Sequence, residues 1–238
     1  MANFPFQRLQ TDLAALINKT PAGQRLPSEP ELAKQLGVSR ATLREAMRSF
    51  ETQGLIRRRQ GSGTFVVGKV EALDSGLELL ESLETIAKRM GLEVSVSDLS
   101  IETVSADAEL VTCLNVTAGT KLTRVRRVIR ADSRPVAYLV DTLPEDVLHA
   151  KDVPSDFHGS VLDFLLSRGD PLTTSRANVS AIGATADVAK PLEIQRGDVL
   201  LHFNAQLFNS DAKIVDYSLS YFIPGYFHFH IVRRVGSS

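Results

Sequence analysis

The run Leu36-Gly37-Val38-Ser39-Arg40-Ala41-Thr42-Leu43-Arg44-Glu45-Ala46-Met47-Arg48 decides how the first third of this chain folds. Gly37 is suited to end one helix, and only Val38 separates it from Ser39, a good first cap for the next. Two helices joined so tightly must meet at a sharp angle, which is helix-turn-helix geometry. In the second of them Leu43, Ala46, Met47 and Phe50 share one face, while Arg40, Arg44 and Arg48 recur at i, i+4 and i+8 on another. Three stacked arginines repel one another, so a helix that carries them gains from a polyanionic partner.

On the N-terminal side, Phe6, Leu9, Leu13, Leu16 and Ile17 fall at helical intervals and predict an amphipathic first helix that stops in the Pro21-Ala22-Gly23 turn. Ser28 followed by Glu31 is a capping box for the second helix, and Pro30 is tolerated in its first turn. On the C-terminal side, Leu55 to Arg59 and Thr64 to Val67 predict two strands around Gln60-Gly61-Ser62-Gly63. That hairpin reads as a wing, whose glycines admit close approach to a groove and whose arginines supply charge. Arg40 and Arg44 are placed to read guanine edges, with Ser39, Thr42, Arg48, Arg58, Gln60 and Gly61 holding the backbone.

Charge divides the chain of 238 residues: residues 1–69 carry 11 Lys and Arg against 5 Asp and Glu, a net +6, whereas the remainder carries a net −7. A basic module joined to an acidic one suits DNA for the first and ligand binding or self-association for the second. We therefore expect a DNA-binding domain at 1–69, a linker at 70–76 and a second domain at 77–238. A single cysteine, Cys113, excludes an internal disulfide and fits a reducing, cytoplasmic setting. No basic leader or long apolar run suggests a membrane.

In the second domain, strands are predicted at Val94 to Val104, Lys121 to Ala131, Pro135 to Thr142, Thr173 to Ile182, Val199 to Asn209 and Lys213 to Ile223. Helices are predicted from Leu80 to Met90, Ala106 to Leu114, Ser160 to Leu166 and Ala184 to Leu192. Short turns such as Asp132-Ser133-Arg134 imply antiparallel pairing, hence an α+β fold.

These motifs carry a resemblance. Arg25-Leu26-Pro27-Ser28-Glu29, Leu36 to Arg40, Leu43-Arg44-Glu45-Ala46 and Gln60 to Val66 resemble the GntR family of winged-helix regulators. Leu122 to Arg127, Arg134-Pro135-Val136-Ala137, Gly159-Ser160-Val161-Leu162 and Val215-Asp216-Tyr217-Ser218 leading to Tyr221 resemble the UTRA effector domain of its HutC branch, a chorismate-lyase-like fold. The resemblance implies DNA contacts at Ser39, Arg40, Thr42 and Arg44, and at Gly61 on the wing. Pro30 stands where many members carry a DNA-contacting arginine. It further implies an anionic effector held by Arg124, Arg126, Ser160 and Asp216, with Ser82 and Tyr221 nearby. Glu84 would repel a phosphate, and Leu139 and Leu162 replace a glutamate and a tyrosine of phosphosugar-binding relatives. A zwitterion thus fits better than a sugar phosphate.

The function expected is a repressor acting on a near-palindromic operator as a homodimer, with no catalytic residues, cofactor or metal. Two other readings stand beside it. A lyase-type enzyme finds no serine-histidine-acid set or phosphate loop in the sequence, and a ligand-independent DNA clamp gains nothing from the 23 carboxylates that follow residue 69. His228 and His230 alternate on one strand face, interleaved with Phe227 and Phe229, and read as packing residues in preference to a metal site.

Overall fold

The computed structural model describes residues 4–52, 55–59, 62–67, 73–154, 157 and 159–232. It divides into two compact units, one of residues 1–72 with 224–227 and one of 73–223 with 228–238.

In the first unit, α1 (Phe4–Lys19) buries Leu9, Leu13 and Ile17. Helix α2 (Glu29–Gln35) is opened by Ser28, whose amide and hydroxyl both donate to the Glu31 carboxylate, at 2.8 and 2.7 Å. Gly37, at φ +64°, takes the left-handed turn that ends α2, a conformation glycine adopts without strain. Helix α3 (Arg40–Thr52) then begins, its first turn closed by the Thr42 amide donating to Ser39 Oγ at 3.1 Å. Leu13, Leu32, Leu43, Met47 and Ile56 are fully buried in the core these helices share. Each such side chain contributes about 1.5–3 kcal/mol by leaving water.

Strands β1 (Ile56–Arg59) and β2 (Gly63–Val66) pair antiparallel from Ile56↔Val66 to Arg59↔Gly63. A third stretch joins them where the sequence suggested only a turn: Leu26 donates to the Thr64 carbonyl and Val66 to that of Gln24, each at 2.8 Å. The wing sheet is thereby tied to the segment between α1 and α2.

The second unit is a six-stranded antiparallel sheet in the order β4-β5-β6-β9-β8-β7. Its strands are β4 (Val94–Ser105), β5 (Lys121–Ala131), β6 (Arg134–Pro144), β7 (Leu172–Gly183), β8 (Val199–Asn209) and β9 (Ile214–Phe222). Asp132 and Ser133, at φ +48° and +64°, make the two-residue turn between β5 and β6, a geometry matched to strand twist. A separate two-stranded sheet pairs β3 (Leu73–Gly76) with β10 (Phe227–His230). This corrects the expected linker at 70–76, since 73–76 is a strand whose partner lies some 150 residues away, beyond any local pattern. Residues 70–72, the remainder of that stretch, lie outside the described residues.

Helix α4 (Leu83–Arg89) starts later than the apolar spacing suggested because Ser82 caps it, leaving Leu80 half exposed. Helix α5 (Ala108–Leu114) is capped by Asp107, whose Oδ1 accepts from the Leu110 amide at 2.9 Å. Helix α6 (Val161–Arg168) is capped by Ser160 and ends at Gly169. Helix α7 is only Ala186–Ala189, shorter than expected, because Pro191 lacks the amide to extend it. A single 3-10 turn covers Ala150–Asp152.

The two faces of the sheet bury different things. One packs Val125, Leu143 and Leu207 against Phe157, Val161 and Leu165 around α6. The other packs Leu122 and Tyr217 against Leu110 and Leu114 of α5. Strand alternation assigns every other residue to its face.

Candidate nucleic-acid and effector sites

On the first unit, Arg40, Thr42 and Arg44 lie exposed at the start of α3, beside the Ser39 cap. The Ser39 and Thr42 hydroxyls are 2.8 Å apart, so the two are oriented together. Arg48, one turn further on, is half-buried. Arg44 donates through Nε to Glu29 at 2.6 Å, while Arg58 NH1 of β1 lies 3.7 Å from the other oxygen of that carboxylate. Arg58 is also held by Glu51, which accepts from its amide at 3.3 Å. Glu29 therefore joins α3 to β1, a link the sequence did not suggest. Its position at the start of α2, 15 residues from Arg44, hid the pairing.

Gln60 and Gly61, the expected wing tip, lie outside the described residues. Gly63, at φ +109°, sits under Arg25: a Cβ there would meet Arg25 Nε at 2.4 Å. The hairpin thus brings a further arginine to the wing.

On the second unit, the predicted effector residues divide between the two faces of the sheet. On β5, Arg126 pairs with Val140 and Arg124 with Thr142, whereas Arg127 pairs with Leu139 and Val125 with Asp141. Arg124 and Arg126 thus share one face, and Arg127 shares the opposite face with Asp141. The register of β8 and β9 places Asp216 on the Arg127 face and Tyr221 on the other. The arginine fork expected from the sequence is therefore not beside Asp216. Arg126 NH1 lies instead 2.7 Å from Glu102 of β4, with Arg124 3.9 Å from the same oxygen. Tyr221 stacks between Tyr138 and His202, with ring centres 6.0 and 4.8 Å away.

Arg127 is the guanidinium that faces Asp216, and it is buried. Its NH1 donates to Asp141, and its Nε lies 3.9 Å from Glu84 of α4. Asp216 accepts from the Thr142 amide at 3.1 Å. Burial, and then the neighbouring Asp141, push the Asp216 carboxyl well above its ordinary range. Glu84 is likewise pushed up by burial, against the pull of Arg127.

Above this cluster two helix starts meet. Ser82 Oγ donates to Asp163 at 2.5 Å and accepts from the Thr85 amide, while Ser160 Oγ accepts from the Asp163 amide at 3.2 Å. Ser82, Glu84, Ser160 and Asp216 are thus assembled around Arg127 and Asp141. The latter two were missed because arginines occupy both parities of β5, and because Asp141 lies in a strand buried on both faces.

A separate cavity, bordered by Arg168, Asp170, Lys213 and Asp146, has charges that already neutralise one another, Arg168 to Asp170 at 2.7 Å and Lys213 to Asp146 at 2.6 Å.

Of the two histidines on β10, both rings are exposed while Phe229 packs on Phe203 and Phe222 at 4.8 and 5.1 Å. Among the described residues no group of three His, Cys, Asp or Glu is arranged to hold a metal ion. Among the same residues no helix is long and apolar enough to cross a membrane.

Comparison with known proteins bears on both units. Residues 6–66 match the model of bacterial regulatory proteins of the gntR family, and residues 89–228 match that of the UTRA domain. The chain is 29% identical over 220 residues to the HTH-type transcriptional regulator Rv0792c of Mycobacterium tuberculosis, covering 90% of this chain and 79% of that protein. It is 27% identical to the HTH-type transcriptional repressor NagR of Bacillus subtilis, covering 74% and 72%. To the histidine utilization repressor of Pseudomonas putida it is 29% identical, covering 76% and 72%. Among solved structures, PhnF from Mycobacterium smegmatis matches with a TM-score of 0.65 at 23% identity, over 96% of this chain and 100% of that one. That likeness shows a shared fold.

Proposed function

Since the chain belongs to the gntR family of bacterial regulators and carries a UTRA domain, we propose that it is a repressor whose grip on a near-palindromic operator is set by a small charged metabolite. The observation that carries this is the exposed Arg40 and Arg44 pair at the start of α3, carried on the same chain as a buried, charged constellation around Arg127.

Arg40 and Arg44 read base edges in the major groove. Arg44 uses Nε for Glu29, so its terminal nitrogens form the bidentate pair that matches guanine O6 and N7. Ser39, Thr42, Arg48 and Arg58 hold phosphates and fix register, with Gln60 and Gly61 at the wing tip. One recognition helix covers one half-site, so the active species is a homodimer. In the second domain, Ser82, Glu84, Arg127, Asp141, Ser160 and Asp216 form the effector site. Arg124, Arg126 and Tyr221 stand on the other face and are not ligand residues in this reading. The effector alters DNA binding only insofar as it binds the DNA-competent and released states unequally. The protein acts by binding and not by catalysis.

Selection of duplexes from a random pool by the purified protein tests this. Enrichment of an inverted repeat, bound by a dimer and released or tightened by a metabolite that also raises the melting temperature, is the expected result. Recovery of unrelated sequences with equal affinity would overturn it.

A further inference from the structure

The charges around Arg127 do not balance. On its face of the sheet stand Glu84, Asp141 and Asp216, with Asp163 in the first turn of α6, against this one guanidinium. Three of the carboxylates have donors: Asp141 has Arg127, Asp216 has the Thr142 amide, and Asp163 has the Ser82 and Thr85 hydroxyls. Glu84 has no donor beyond its own backbone amide. Both of its oxygens are buried and take no hydrogen bond from another residue, and the Nε of the fully buried Arg127, 3.9 Å from Glu84, likewise makes none. A buried carboxylate without a donor is costly, and a protein retains one where something else completes it.

What completes it must bring N–H donors and positive charge. A phosphate would add up to two negative charges beside the acid groups of Glu84, Asp141 and Asp163. A zwitterion needs a guanidinium fork for its acid end, and Arg124 and Arg126, which were to supply it, lie on the opposite face. Arg127 has already committed its NH1 to Asp141. Glu84 retains a fifth of its side-chain surface, on its stem and not on its two buried oxygens, so a ligand meets the carboxylate only when the cover around the capped starts of α4 and α6 gives way.

We propose that the effector is a cation, an amine- or guanidine-bearing metabolite of net positive charge, whose nitrogen is received by Glu84. This replaces the zwitterion expected from the sequence, and it rests on the assignment of this constellation as the effector site.

The test uses the full chain and four probes of similar size: butylammonium, butylguanidinium, butyrate and inorganic phosphate. Both cations should raise the melting temperature and neither anion should. Glu84→Gln, which keeps shape but removes charge, should itself raise the melting temperature without ligand and weaken cation binding by about tenfold or more in calorimetry. Glu93→Gln, on the exposed surface, should leave binding unchanged. Stabilisation by butyrate or phosphate in preference to the cations, absence of any cation effect, or a Glu84→Gln protein that binds cations as before would each overturn the proposal. Cation binding lost in Glu84→Gln but without influence on operator affinity would instead uphold the charge class and refute the effector role.

Discussion

Arg44 of the recognition helix donates through Nε to Glu29 at 2.6 Å, and Glu29 is the residue that opens the preceding helix. On the surface proposed to face DNA a carboxylate repels phosphate, so its presence calls for a gain elsewhere. The gain we propose is orientation: an arginine side chain with one nitrogen already held loses less freedom when its other two engage a base.

Glu29→Gln tests that role. Removal of the negative charge should tighten binding to random duplex, while the loss of the hold on Arg44 should lower selectivity for the chosen operator by about tenfold, within what one bidentate contact contributes. Folding stability should move by less than about 1 kcal/mol, because Arg44 is 55% exposed and the pair is screened by water. Fluorescence anisotropy on both duplexes, with a urea melt, reads all three.

Arg58→Ala should behave differently. Arg58 sits on the wing strand between Glu29 and Glu51. Its loss should weaken every duplex alike and reduce the slope of log affinity against log salt by about 1. A changed base preference would show that Arg58 reads sequence.

These contacts mark how far the sequence was legible. Helices α2 and α3 and the wing could be read because caps, glycines and apolar spacing act over a few residues, and those signals coincide at Ser28, Gly37 and Ser39. The strands of the second domain were legible for the same reason. The side chains that meet within it were not. Arg124, Arg126 and Arg127 all lie on β5, and only the cover from α4 and α6 decides which parity faces the carboxylates. Leu73–Gly76 passed for linker because its partner β10 stands at the far end of the chain.

The two parities predict opposite outcomes. Arg127→Ala leaves buried carboxylates without their cation and should cost about 3–5 kcal/mol in denaturant unfolding. Arg124→Ala removes only a partner 3.9 Å from the half-exposed Glu102 and should cost less than about 1 kcal/mol. Equal costs would contradict the assignment of faces.

Asp216 gives the domain a pH dependence of definite sign. Its folded-state carboxyl is raised, chiefly by burial and then by Asp141, so the folded protein holds this proton more tightly than the unfolded chain. Its stability contribution is therefore greatest in acid and is lost as pH rises from the unfolded value, about 3.9, through the folded one. Asp216→Asn, which keeps an acceptor for the Thr142 amide, should raise the melting temperature near neutral pH, with the gain shrinking towards pH 4. A variant less stable than the parent at neutral pH would argue that the charge is required.

The central claim is that α3 reads DNA through its arginines, and the ratio of affinities for selected and random duplex, measured at one salt concentration for the parent and Arg44→Ala, tests it most directly. The parent should prefer its selected site by at least about a thousandfold, and the variant should forfeit about 5- to 100-fold of that preference while keeping its affinity for random DNA within severalfold. An Arg44→Ala protein with the parent's full preference would contradict the account.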